Sequence, residues 1–189
     1  MTLEELCHGF YEDLNGRIVT VGLALDSYNV FFECDDWNDS DWRRRFELVF
    51  NDVPESTATP SASESLAAVA DHPILWQHNE EHTAIFFSST PANPMELMGL
   101  LYEVHERLFA GWRRMGEYLH ADSTLLAGGH GLLAQGPRSV IAEYSKAIDG
   151  QLRYTVIPCH TPRGGYRVIL FDECYVVFRD VKVVEHIIA

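Results

Sequence analysis

The sequence predicts an α+β fold in which antiparallel sheets, drawn from both ends of the chain, pack on one long central helix and shorter helices. Runs rich in β-branched and aromatic residues crowd the two ends, at 18–50 and 152–188. The strongest helical pattern lies between them, at 93–119. The strands also arrive in consecutive blocks, not in the strict strand-helix alternation of a doubly wound parallel sheet.

The elements follow in order. Thr2 and Glu5 have the spacing of a capping box, and Leu3, Leu6, Cys7 and Phe10 share one face, so a short helix opens the chain and Gly16 ends it. Residues 18–25 and 28–34 are apolar runs separated by Asp26 and Ser27, the pattern of a tight hairpin. After a polar loop, Phe46, Leu48 and Phe50 alternate with Glu47 and Val49 in a third strand. Residues 56–65 are small and polar, a surface loop or linker unless Ser61 and Glu64 cap a short helix. Residues 74–77 and 83–88 read as a second hairpin around the polar turn 78–82.

Asn93 then caps the central helix, with Pro94 in its first turn and Glu96 completing a capping box. Met98, Leu101, His105, Leu108, Trp112, Met115 and Leu119 form its stripe, and at ~1.5 Å per residue the helix is ~40 Å long. Gly128, Gly129, Gly131 and Gly136 make a turn into a helix at 137–148 that Gly150 terminates. Four runs, 152–157, 166–171, 174–178 and 181–188, complete an antiparallel meander. Residues 48–53 and 176–181 repeat an apolar-Val-Phe-polar-Asp-Val pattern, the mark of a duplicated strand-turn unit or of chance among common strand residues.

At 189 residues and 47% hydrophobic content the chain is long enough for one cored domain, 1–189, with an internal loop or linker at 54–66. Twenty-eight acids against 14 bases give a net charge of −14, which argues against gripping phosphate backbones and for a neutral or basic partner; no nucleic acid is expected. The acidity is concentrated: residues 1–122 hold 22 acids and 7 bases, residues 123–189 hold 6 and 7. Cys7, Cys34, Cys159 and Cys174 are widely spaced, with no C-x-x-C, which fits a reducing cytosol. The first 15 residues lack the basic start and apolar run of a signal peptide, and no window approaches ~18 consecutive apolar residues, so a cytoplasmic location without membrane insertion is expected.

Candidate chemistry is sparse. His78 and His82, with Glu80 and Glu81 between them, would suit zinc only on a helix with both imidazoles on one face. The segment is not the zincin motif, because Asn79 follows the first histidine, and a solvated hairpin tip is the plainer expectation. His120, Asp122 and His130 are a weaker grouping of the same kind. Cys159 and His160 are adjacent, so on a strand they point to opposite faces and make no dyad unless Pro158 and Pro162 bend the chain. The glycines after residue 127 fit neither phosphate-loop nor dinucleotide spacing and lack a lysine. His105 belongs to the core, and Arg43, Arg44 and Arg45 neutralise the acids before them. No catalytic residue, cofactor or metal is expected.

The most unusual stretch is residues 33–42, where Glu33, Asp35, Asp36, Asp39 and Asp41 surround Trp37 and Trp42. Carboxylates speed encounter with a basic partner and aromatics supply buried contact, so these seven residues are the expected partner-binding site. Calcium is the rival ligand, although the EF-hand register and its distal Glu are missing. The structural alternative folds Trp37 and Trp42 back onto the sheet.

In size, acidity, strand-rich ends and lack of catalytic motifs, the whole chain resembles the immunity proteins of bacterial polymorphic-toxin systems. The resemblance is one of type and rests on no diagnostic motif. It implies a cytosolic inhibitor, not an enzyme, that binds and neutralises a cognate toxin protein by covering a basic active site. Two alternatives stand beside it: a small metal-dependent enzyme using His78, His82, His120 and His130, and a homodimeric ligand-binding or structural module.

Overall fold

The computed structural model describes residues 1–24, 26–38 and 42–186. Where the sequence reads as one domain, the chain contacts divide it into two compact units: Met1–His72 with Gly165–Ala189, and Pro73–Gly164. The fold is α+β with antiparallel sheets.

In the first unit, helix α1 (Leu3–Gly9) carries the expected capping box, with the Thr2 side chain accepting from the Glu5 N–H and the Glu5 side chain accepting from the Thr2 N–H. Strands β1 (Gly16–Leu23), β2 (Tyr28–Asp35) and β3 (Arg43–Asn51) form the expected meander; position 25 lies outside the described residues. Residues 54–66, expected as a loop or linker, lie within this unit and carry β4 (Glu55–Ser56) and β5 (Ser61–Ser63), so Ser61 begins a strand and not a helix. Strand β6 spans Ala67–Val69. Gly16 has no alternative: a Cβ there would lie 2.4 Å from the Phe10 ring and 2.6 Å from the Ser63 carbonyl.

The end of the chain returns to this unit. Strands β10 (Arg167–Phe171) and β11 (Cys174–Phe178) form a hairpin, and β12 (Asp180–His186) follows; positions 187–189 lie outside the described residues. The expected four-strand meander fails on both sides. Strand β12 leaves β11 to pair with β3, giving the five-stranded order β12-β3-β2-β1-β5, while β10 and β11 belong to the four-stranded order β4-β11-β10-β6. Aromatics join the two sheets, with Phe50 5.0 Å from Phe178 and Phe32 6.0 Å from Phe171. The two repeated segments therefore meet in one core.

The second unit is contiguous: α2 (Pro73–Asn79), β7 (His82–Phe87), α3 (Pro94–Phe109), α4 (Ser123–Ala127), β8 (Gly131–Pro137), α5 (Arg138–Ile148) and β9 (Tyr154–His160). Its sheet has the order β8-β7-β9. Ile85 and Phe87 share one core with Leu97 and Leu101 of α3 and with Val140, Ile141 and Tyr144 of α5. Inside it His105 is satisfied on both nitrogens: Nε2 donates to the Arg113 carbonyl and Nδ1 accepts from the Tyr144 hydroxyl, each at 2.8 Å.

Three expectations are corrected here. Residues 74–77 are helical, because Pro73 sits at the first helical position and the short apolar run Ile74, Leu75 and Trp76 fits either element. The helix at 93–119 stops at Phe109, where Ala110 and Gly111 turn left-handed (φ 46° and 88°), so it runs 16 residues and ~24 Å. It packs in the second unit's core and is not a support for strands from both ends of the chain. The glycine stretch continues as strand β8, where a Cβ on Gly136 would lie 2.5 Å from the Tyr118 ring.

Candidate functional site

The β2–β3 hairpin builds the site. Its register sets Glu33 opposite Arg45, Cys34 opposite Arg44 and Asp35 opposite Arg43, so two acids face two arginines across the ladder. Beneath the loop, the Asp36 N–H donates to the Trp42 carbonyl at 2.8 Å and the Asn38 N–H donates to Asp36 Oδ1 at 2.7 Å.

Most of the acids are already paired. Glu33 is 2% exposed: Arg17 donates to its Oε2 from Nε and Nη2 at 3.1 and 2.7 Å, and Arg45 donates to its Oε1. Burial alone would raise the Glu33 pKa, but the hydrogen bonds and charges of Arg17 and Arg45 outweigh it and hold the carboxyl below its usual range. Asp35 pairs with Arg43 at 3.1 Å and accepts from Asn15 Nδ2 at 2.6 Å. Asp36 lies 3.9 Å from Arg44, which bonds Glu185 of β12 at 2.6 Å.

The tryptophans part company. Trp37 lies back on the core, parallel to Phe46 with ring centres 6.3 Å apart, and the Arg44 guanidinium sits 3.6 Å from its ring centre. Trp42 is 61% exposed. Asp39 and Asp41 lie outside the described residues. Of the seven expected site residues, then, Glu33 and Trp37 form the base, Asp35 and Asp36 its paired rim, and Trp42 projects.

Arg17, Arg44, Asn15 and Glu185 complete the arrangement, and sequence reasoning passed over all four as site residues. Arg44 had a visible signal: the acids of one strand and the arginines of the next fall opposite each other when the hairpin is folded on its loop. Charge partition sharpens too. The unit that carries this loop holds 19 acids and 7 bases, a net −12, and the other holds 9 and 7, a net −2.

The histidine candidates scatter. His78 lies in the last turn of α2, while His82 opens β7, buried, with Nε2 2.9 Å from the Gln77 carbonyl and its ring 4.3 Å from that of His160. Glu80 caps α5 instead, accepting from the Ser139 N–H at 2.8 Å and its hydroxyl at 2.7 Å. Asp122 caps α4, and exposed His130 sits 3.2 Å from the Gly128 carbonyl. Among the described residues, no three His, Cys, Asp or Glu side chains are grouped so that they could hold a metal ion. Burial pushes the Cys7 thiol up to about 11 and the Cys34 thiol to about 12, which makes both poor nucleophiles at neutral pH.

No protein family, curated protein or solved structure matches the chain.

Proposed function

We propose that this chain is a cytosolic immunity protein that binds and neutralises a cognate bacterial toxin through the face around the β2–β3 loop. The observation that supports the reading is Trp42, a large aromatic 61% exposed beside paired carboxylates on a unit of net charge −12. An exposed aromatic is a ready anchor, and Trp37 and Asp35 beside it, already held by Arg44, Arg43 and Asn15, have less freedom to lose on binding. The charge acts as a field. Because Asp35 and Asp36 have arginine partners, the unit's net charge, more than single contacts, steers a basic toxin to this face. Trp42 makes the central contact with Asp35 and Asp36 beside it, Glu33 and Trp37 hold the base, and Asp39 and Asp41 add their charge to the same segment of the sequence.

The test is growth of a host expressing the neighbouring open reading frame alone and together with this chain, followed by co-purification. The expected result is killing by the neighbour alone, rescue on co-expression, and a stable complex whose association slows as ionic strength rises. A harmless neighbour that does not co-purify overturns the reading.

A further inference from the structure

A second surface lies on the second unit, among residues that the immunity reading does not use. Strand β9 is at the end of the β8-β7-β9 order, so among the described residues only β7 pairs with it. Residues 155–160 are all exposed. Val156 is 42% exposed, Ile157 45%, and Phe86 on the neighbouring strand 42%. An uncovered edge with apolar side chains is a template for another strand.

The edge has a definite hydrogen-bonding pattern. The Ser88 N–H donates to the Arg153 carbonyl at 2.8 Å. Alternation along the antiparallel ladder then turns the backbone groups of Thr155 and Ile157 toward β7 and those of Tyr154, Val156 and Pro158 outward. Pro158 has no N–H, so the edge offers the N–H groups of Tyr154 and Val156 and three carbonyls. Proline thus confines pairing to the first part of the strand.

Charge selects the occupant. The three strands contain no Asp, Glu, Lys or Arg. Residues 150–164 contain Arg153, Arg163 and His160 and no acid, in a chain with 28 acids. Arg153 and Arg163 flank the exposed run at its two ends, so acidic residues beyond the ends of an added strand would meet opposite charge. We propose that the outer edge of β9 takes up an extended apolar peptide segment with acidic residues beyond its ends, as a fourth strand of this sheet.

The probe is a fluorescein-labelled peptide of alternating valine and threonine with two glutamates at each end, and a counterpart with lysines in their place. Anisotropy with the full chain should show binding of the acidic peptide and roughly tenfold weaker binding, or none, of the basic one. Hydrogen exchange should slow at the Tyr154 and Val156 amides. Val156→Pro removes one outward donor and should abolish binding. Arg153→Glu with Arg163→Glu should reverse the preference between the two peptides, which keeps the test valid if the proline variant does not fold. Equal binding of both peptides, binding of neither to the folded chain, protection confined to other strands, or a dimer protected at Tyr154 overturns the proposal.

Discussion

The Arg44 guanidinium lies 3.6 Å from the centre of the Trp37 ring while bonding Glu185 on β12, so one side chain ties the loop tryptophan to the last strand. Trp37 is therefore tied into the fold, while Trp42 is left exposed. Trp37→Ala should lower unfolding stability by about 2 kcal/mol, less than for a fully buried tryptophan. Trp42→Ala should leave stability within about 0.5 kcal/mol yet weaken toxin binding by about 2 kcal/mol or more. Urea unfolding and calorimetric titration separate the two effects, and equal destabilisation by both substitutions would remove the distinction.

Glu33 should be an acid-sensitive point of the first unit. Its pKa is depressed in the fold, so its stabilising contribution is present above the unfolded value of 4.5 and is lost as pH falls through the folded one. Glu33→Gln should cost about 2 kcal/mol at neutral pH, between the values for exposed and fully buried pairs because both arginines are partly exposed. Unfolding measured from pH 7 to pH 3 should show the gap between variant and parent closing toward the acid end.

His82 should make the second unit sensitive at a higher pH. Burial first, then the charges of His160 and His78, hold its pKa below the ordinary 6.5. Below that pH the unfolded chain binds a proton that the folded state resists, so this contribution is full above about 6.5 and declines as pH falls toward the folded pKa. Thermal melts of the parent and of His82→Gln between pH 7.5 and 5 would report it as a slope that the variant lacks.

Ala110 should yield to glycine. It ends α3 at φ 46°, where a Cβ is unfavourable, and its N–H still bonds the Glu106 carbonyl. Ala110→Gly is expected to stabilise the chain by about 1 kcal/mol, read as a higher melting temperature. No gain would mean that neighbouring contacts already compensate for the strain.

What could be read from the sequence divides along a physical line. Local patterns translated directly: the Thr2–Glu5 cap, the alternation of Phe46, Leu48 and Phe50, and the Pro94 helix start all stand. Non-local pairing did not. Nothing near Val181 says that it will sit opposite Phe50 instead of beside β11, and Pro73 and the Pro162-Arg163-Gly164-Gly165 stretch read as ordinary turns, with nothing local to mark them as unit boundaries. The stripe at 98–119 ran past the helix end because apolar spacing continues after Gly111, although the glycine itself was a stop signal. At the candidate site, the acids and tryptophans drew notice, but their partition into base and rim depended on hairpin register and on Arg17 and Glu185, which only the fold brings near.

The return of the chain to its first unit also has a consequence for biosynthesis. The second unit is a single stretch and can assemble as soon as it leaves the ribosome. The first cannot: Arg44 and Glu185 are 141 residues apart, and β3 waits for β12 until nearly all of the described chain has been translated. Until then the edge of β3 stands open and the loop carrying Trp42 lacks its tie to β12, so an interrupted translation product would hold the aromatic and the acids without the scaffold that orients them.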